Sequence, residues 1–432
     1  MELKVDFSKI LGTIKPMHGV GQPPIYGTDF FMFNYLKEAG IPFSRLHDVG
    51  GAYGGFRWVD IPNIFRDLNA DPTKEENYDF VFTDLLITAL IDNGVEPFFR
   101  LGVTIENSAK IKAYRIYPPT DNQKWAVICE HIIRHYTQGW ANGFKYNIRY
   151  WEIWNEPDNF EEALENQMWR GTKEQYYQLY AVASKHLKKC FPHLKIGGYA
   201  SCGFYDLKKS FIAEAKSSPR FEYFLTFFDG FLKYVKQENC PLDFFSWHSY
   251  DSMENNLFYA NYARECLHKA GFTNTEIILN EWNYESSKRG TYRHMATTLS
   301  MMLALQNAPL DSMMFYDAAL SISRYAGLFN PLTLQPFPTY YSFKVFNKLY
   351  QAKNQVFVEG SDSDVYALGA TDGIKGYLVL SNISSEEKIL DIKTTAKIEK
   401  CVLTADGYLE EEIEFTNKLP KESILLIEYS VD

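Results

Sequence analysis

Two glutamates stand in matched settings 125 residues apart. Glu156 closes the run YWEIWNEP and Glu281 sits in IILNEW; each follows an asparagine, Asn155 and Asn280, at the end of an apolar, strand-like stretch. Two carboxyl groups converging on one pocket are what cleavage of a glycosidic bond requires. One must be protonated to donate to the leaving oxygen, and the other ionised to attack the anomeric carbon. Close carboxyls resist double ionisation, which drives their pKa values apart and divides the roles. Either glutamate alone reads equally well as a strand-end residue in a surface salt bridge. The matched pair favours chemistry.

Such a pair needs elements that aim both side chains at one place. Strand-like runs occur at residues 12–20, 41–48, 95–102, 146–156, 194–200, 242–250, 275–282 and 311–318. Helical periodicity separates them: 77–93, with Asn77 as a cap and Gly94 as a stop; 121–138; 172–189, with Thr172 and Gln175 as a capping box; and 293–307. Alternating strands and helices imply parallel strands joined by right-handed crossovers. Eight units predict an α/β fold, a closed (β/α)8 TIM barrel, over residues 10–350. The glycine-rich stretch HDVGGAYGG (47–55) lacks the G-x-G-x-x-G spacing and reads as a long loop, not a nucleotide cradle. After residue 353 short alternating runs broken by Gly, Asn and Asp predict a C-terminal antiparallel β-sandwich domain, residues 353–432. Residues 1–9 are a possible further strand of it.

In such a barrel the site lies at the C-terminal ends of the strands. Glu156 and Glu281 then come from strands four and seven. Pro157 bars the preceding residue from the right-handed helical region, so Glu156 is expected to stay extended and point into the mouth. Alternation along the fourth strand puts Glu152, Trp154 and Glu156 on one side, with Trp151, Ile153 and Asn155 on the other. On the second strand Arg45 shares a side with His47, so a deeper Arg45–Glu152 pair is expected. A bulge near the mouth breaks this parity.

Composition narrows the partners. Aromatic residues make up 16% of the chain, which suits a pocket that stacks on sugar rings as well as a thick core. A net charge of -10 argues against nucleic acid, and the densest basic piece, KHLKK at 185–189, reads as a solvated helix face. No apolar run is long enough to span a membrane. Six scattered cysteines predict free thiols, and MELKVDFSKI has no signal-like apolar region. The expected location is cytoplasmic, the expected partner a carbohydrate substrate, with no cofactor and no metal. The oligomeric state stays open.

WEIWNEP and IILNEW together resemble the acid/base and nucleophile strands of the large (β/α)8 glycosidase clan. With LDFFSWHSY and the trailing β domain, the chain is similar to glycoside hydrolase family 39, which includes β-xylosidases and α-L-iduronidases. The resemblance implies a retaining double displacement, with Glu156 as acid/base and Glu281 as nucleophile. It implies that Asn155 binds the sugar 2-hydroxyl, that His47 and His248 contact ring hydroxyls, and that Tyr250 donates to Glu281. Trp282, as a sugar platform or a core ring, and Tyr316 with Asp317 at the end of strand eight, complete the candidate substrate contacts. LNEWNYE and Tyr316-Asp317 depart from the β-xylosidase pattern, so mechanism carries over better than substrate.

The expected activity is that of an exo-acting, β-xylosidase-like hydrolase of short oligosaccharides. The same chemistry on an arabinoside, galactoside or glucoside, transglycosylation, and a non-catalytic carbohydrate-binding barrel are the alternatives. His131 and His135 share a helix face at metal-ligand spacing, but Ile132 stands where H-E-x-x-H has its glutamate. Trp247 reads as packing, and Asp251 and Glu285 as loop-solvating acids.

Overall fold

The structure, a computed structural model, describes residues 1–50, 57–106, 115–207, 218–360 and 362–431. Strand β1 (Glu2–Thr13) precedes eight short strands: β2 (Gly19–Gly21), β3 (Phe43–Leu46), β4 (Glu96–Leu101), β5 (Tyr150–Ile153), β6 (Lys195–Ser201), β7 (Phe244–Ser249), β8 (Glu276–Trp282) and β9 (Ser312–Phe315). These eight pair in order, and β9 pairs back onto β2, closing a barrel of parallel strands. A helix follows each strand in turn: α1 (Phe33–Glu38), α2 (Val81–Asp92), α3 (Asn122–Thr137), α4 (Lys173–Cys190), α5 (Pro219–Gln237), α6 (Met253–Ala270), α7 (Tyr292–Leu305) and α8 (Pro338–Ala352). The (β/α)8 barrel expected from the alternation is the fold observed.

Local chemistry sets several helix ends. Asp121 accepts from Lys124 N ahead of α3, and Thr172 and Gln175 form the reciprocal capping box of α4. Asn77 does not cap α2. Its side chain donates to Asp71 O, Asn77 itself closes a 3-10 turn (Glu75–Asn77), Tyr78 after it is extended, and Asp79 accepts from Val81 N as the helix begins. The loop at 47–55 follows β3 as far as Gly50; its remainder, 51–55, lies outside the described residues. Among the described residues, no helix is long and apolar enough to cross a membrane.

The barrel interior is layered, because alternate residues of each strand face inward. Phe43, Phe98, Phe244, Ile278 and Met314, with Tyr150 beside them, form an apolar floor. Two residues further along the same strands come Arg45, Arg100, Ser246, Asn280 and Glu152, all buried. The third layer is the mouth. The floor excludes water beneath the polar layer, so every charge there needs an internal partner.

After α8 the chain adds β10 (Asn354–Glu359), β11 (Val365–Thr371), β12 (Lys375–Asn382), β13 (Lys388–Ile389), β14 (Asp391–Lys393), β15 (Lys397–Ala405), β16 (Tyr408–Glu412), β17 (Lys418–Leu419) and β18 (Ser423–Ser430). One eight-stranded sheet runs β14-β1-β10-β11-β12-β18-β15-β16, and β13 pairs with β17. The N-terminal strand belongs to this sheet and is longer than residues 1–9, because its register with β10 continues to Thr13. Alternation divides the sheet's burial. Val379, Ile424 and Leu426 join the barrel core, whereas Leu378, Leu380, Leu425 and Ile427 fill a second core. Phe7 of β1 lies 5.1 Å from the Tyr429 ring of β18, although four strand spacings separate them along the sheet. The sheet therefore curls over, and Gly376 provides the room: a Cβ there would lie 2.5 Å from the Phe7 ring.

Candidate active site

Both glutamate-bearing strands break their alternation just before the mouth. On β5 Glu152 faces inward, but Trp154 takes φ 72° and turns outward, packing on Trp125 and Trp169. Asn155 then faces the interior, and Glu156, at φ 44°, reaches the pocket. This corrects two expectations. Glu156 is not extended: proline bars only the right-handed helical region, and the chain leaves through the left-handed one. Trp154 and Asn155 exchange sides, as a bulge dictates. On β8 the register slips between Leu279 and Trp282, so Asn280 and Glu281 both serve the interior. Trp282 is turned outward. It is wholly buried, edge-on to Phe315 at 5.3 Å, and is a core ring, not a sugar platform.

Arg45 joins the two strands. Its Nε donates to Glu152 Oε2 at 2.8 Å, Nη1 to Glu281 Oε1 at 2.7 Å and Nη2 to Asn155 Oδ1 at 2.6 Å. Ser246 Oγ and Asn280 Nδ2 each donate to Glu152 Oε1 at 2.6 Å. The expected Arg45–Glu152 pair exists, but it is the base of a larger clamp that also orients Glu281 and Asn155. Replacing Arg45 by methionine strands two buried carboxylates. The expected loss is about 3–5 kcal/mol of stability, read from the urea unfolding midpoint. A midpoint like that of the parent protein contradicts the clamp.

Above the clamp, Tyr250 Oη donates to Glu281 Oε2 at 2.9 Å. His248 Nδ1 lies 2.8 Å from Glu156 Oε1 and 3.4 Å from Glu281 Oε2. Asn159 Nδ2 donates to Glu156 Oε2 at 2.8 Å, and Arg220 Nε holds the Asn159 carbonyl at 2.8 Å. The nearest carboxylate oxygens of Glu156 and Glu281 lie within 4.8 Å of each other. His47, also buried, places Nε2 3.3 Å from Asp48 Oδ1. Gln22 Nε2 donates to the Tyr316 hydroxyl at 2.7 Å, and Tyr316 and Asp317 line a cavity of about 180 Å³ at the mouth.

Burial dominates the electrostatics. It raises Glu281, more than the charges of His248 and Arg45 and the Tyr250 bond lower it, while the neighbouring Glu156 raises it further. Burial also raises Glu156, but the bond to His248, its charge and the Asn159 bond carry that carboxyl below its usual range. His248 Nε2 is buried without a hydrogen-bond partner among the described residues. Burial, with the charges of Arg100 and Arg45, keeps His47 well below its ordinary value, so its ring is neutral.

Other residues singled out in the sequence are structural. His131 Nδ1 bonds Val127 O; His135 bonds Trp140 O and Asp84 Oδ1 and stacks on Phe80. Trp247 packs on Phe204. Asp251 does not solvate a loop: it is buried and accepts from Tyr259 Oη at 3.0 Å. Glu285 pairs with Arg293, whose Nη1 also reaches Ile383 O of the β domain. Glu130, His186 and Cys190, another group with metal-ligand atoms within 4.8 Å, are tied by a Glu130–His186 bond of 2.6 Å. Sequence reasoning missed Asn159, Asp48 and Gln22. Only Asn159 carried a signal, three residues after Glu156.

A (β/α)8 barrel with two carboxyls on strands four and seven, clamped from below and aimed at one mouth, is a glycosidase barrel. Comparison with known proteins makes it specific. The model for glycosyl hydrolases family 39 matches residues 53–372. A β-xylosidase of Caldicellulosiruptor saccharolyticus is 23% identical over 98% of this chain and 86% of its own length. A β-xylosidase of Geobacillus stearothermophilus is 26% identical over 46% of this chain and 37% of its own. Among solved structures, a glucosidase from Croceicoccus marinus matches with a TM-score of 0.77 at 20% identity, covering 100% of this chain and 99% of the other. A family 39 β-xylosidase from Caulobacter crescentus matches at 0.67 and 16%, covering 100% of both. The chain belongs to glycosyl hydrolases family 39 and is a glycoside hydrolase acting on carbohydrate.

Proposed function

We propose that the chain is a retaining, exo-acting β-xylosidase-like enzyme working by double displacement. Glu281 is the nucleophile, and Arg45 and Tyr250 hold it ionised and aligned. Glu156 is the acid/base: it gives its proton to the leaving oxygen, then takes one from the attacking water. The observation that carries this reading is the separation of the two carboxylates, whose closest oxygens lie within 4.8 Å. Retaining enzymes hold the two groups about 5–5.5 Å apart, whereas inverting ones leave room for a water at about 6.5–9.5 Å.

Asn155, held by Arg45, is assigned to the sugar 2-hydroxyl. His47, His248, Tyr316 and Asp317 are assigned to other ring hydroxyls. The β-xyloside preference rests on the two curated relatives. The six cysteines are free thiols, which suits a reducing, cytoplasmic setting and short imported oligosaccharides as substrate.

Initial rates on 4-nitrophenyl glycosides of both anomeric configurations, with β-glucoside and α-L-arabinoside among them, test the sugar. Proton NMR of the first product tests the stereochemistry. We expect the β-xyloside to be cleaved fastest and β-xylose to appear before mutarotation. α-Xylose as the first product overturns the mechanism, and a faster rate on another glycone overturns the substrate.

A further inference from the structure

We propose that Arg220 and Asn159 act in series as positioning residues for Glu156: Arg220 fixes which way round the Asn159 amide sits, so that its N–H and not its carbonyl faces the carboxyl. The inference rests on the proposed double displacement and adds how Glu156 is set to work as a base in the second step.

Asn159 is buried, and both ends of its amide are engaged. Nδ2 donates to Glu156 Oε2 at 2.8 Å and to Cys202 Sγ, just past β6, at 3.7 Å. Oδ1 accepts from Arg220 Nη2 at 3.2 Å, and Arg220 Nε donates to the Asn159 backbone carbonyl at 2.8 Å. Turned the other way, the amide sets its NH2 against the guanidinium, donor to donor. Its carbonyl oxygen then meets Oε2, acceptor to acceptor. Arg220, in the first turn of α5, is itself held in place. Its guanidinium carbon stands 4.4 Å from the Phe160 ring centroid and 5.4 Å from that of Phe224.

The loop after Glu156 does not need this side chain for its shape. Asn166 ties it together, donating to the carbonyls of Pro157 and Phe160 and accepting from Met168 N and Trp169 N. Asn159 N donates to Glu156 O at 3.1 Å, a backbone bond that any residue but proline makes. What the Asn159 side chain alone supplies is a donor to Oε2, and a donor favours the ionised carboxylate. Burial raises Glu156; after His248, the Asn159 bond and the Arg220 charge bring it down. The first step needs Glu156 protonated. The second needs it ionised, to take a proton from the attacking water. The Arg220–Asn159 pair favours that second state.

Trapping isolates the second step. A 2,4-dinitrophenyl 2-deoxy-2-fluoro-β-xyloside leaves its sugar on Glu281, and recovery of activity is then followed against pH. Glu281 is esterified in this species, so the acidic limb of the recovery rate reports Glu156 alone. A group that must be ionised gives a rate that falls as pH drops through its pKa. Loss of a donor raises that pKa, so the limb moves to higher pH. We expect Asn159→Ala to move it up by about one unit, which is about tenfold slower recovery below the limb. Asn159→Asp, of the same shape without the donor, is the second variant and should move it the same way. Arg220→Lys keeps the charge but not the two-pronged bond. It should also move the limb up, and together with Asn159→Ala no further than Asn159→Ala alone. A limb left in place by both Asn159 variants, even with a lowered melting temperature, overturns the inference. A limb unmoved in Arg220→Lys, or shifts that add in the double variant, overturns the action in series. No trapped enzyme, or the parent's limb persisting in Glu156→Ala, sinks the proposed function instead.

Discussion

Replacing Glu281 by alanine is expected to lower kcat on aryl glycosides by more than about 10⁴-fold while leaving the fold intact, since losses of this size follow removal of a covalent nucleophile. The geometry explains why nothing nearby substitutes. Oε2 of Glu281 is held by Tyr250 at 2.9 Å and Oε1 by Arg45 at 2.7 Å, and no other carboxylate is held in the place of the proposed nucleophile among the described residues. Arg45 retains Glu152 and Asn155 in the variant, so the clamp survives and far-ultraviolet circular dichroism should match the parent. Added azide fills the space left by the side chain and attacks the anomeric carbon directly. The glycosyl azide formed should therefore have inverted configuration. Azide product of retained configuration, or residual activity above about a hundredth of the parent, removes Glu281 from the nucleophile role.

Replacing Glu156 by alanine should divide substrates by leaving group. A proton donated in the transition state is worth about 10²–10⁴-fold, and only a poor leaving group needs it. Alkyl glycosides and xylobiose are expected to lose that factor in kcat/KM. 2,4-Dinitrophenyl glycosides should keep nearly all of theirs, and their kcat should fall because no base remains to activate water on the covalent intermediate. KM falls with it as that intermediate accumulates. Azide should restore kcat on the activated substrate and give a glycosyl azide of retained configuration, the opposite of the Glu281 variant. Equal losses for both kinds of leaving group would assign Glu156 to positioning alone.

The two experiments are linked through His248, which lies between the carboxylates at 2.8 and 3.4 Å.

Much of the architecture was legible in the amino-acid sequence. Eight apolar runs separated by helical periodicity are enough to specify a closed parallel barrel, because few topologies bury both faces of eight parallel strands. The capping box at Thr172 and Gln175 acts within four residues, and it formed as expected. Asn77 failed as a cap because it closes a separate 3-10 turn and an extended Tyr78, whose ring packs on Phe65 and Phe80, parts that turn from the helix. Local propensity yields where tertiary packing pulls harder.

The candidate site divides along the same line. Residue type and strand-end position singled out Glu156 and Glu281, with Tyr316 and Asp317 at the end of strand eight; Asn155, His47, His248 and Tyr250 came from the family resemblance, and the structure brings all eight to one mouth. Arg45 was visible as the partner of Glu152, two inward residues on β3 and β5, with β4 between them. Its bond to Glu281, 236 residues away, was not. Nor was the outward turn of Trp282.

The sequence by itself determined which chemistry is available: two carboxyls, each after an asparagine at a strand end, with a proline to stop one strand. Only the tertiary structure decided which side chains face the pocket. An alternation of period two carries inward and outward faces reliably along a strand, but one extra residue reverses them. Both glutamate-bearing strands contain such a break, at Trp154 and at Asn280–Glu281. Closing the barrel is what makes those breaks possible. The left-handed turn at Glu156 and the slip in β8 are held by contacts with neighbouring strands and with Arg45, and these exist only once all eight strands have met.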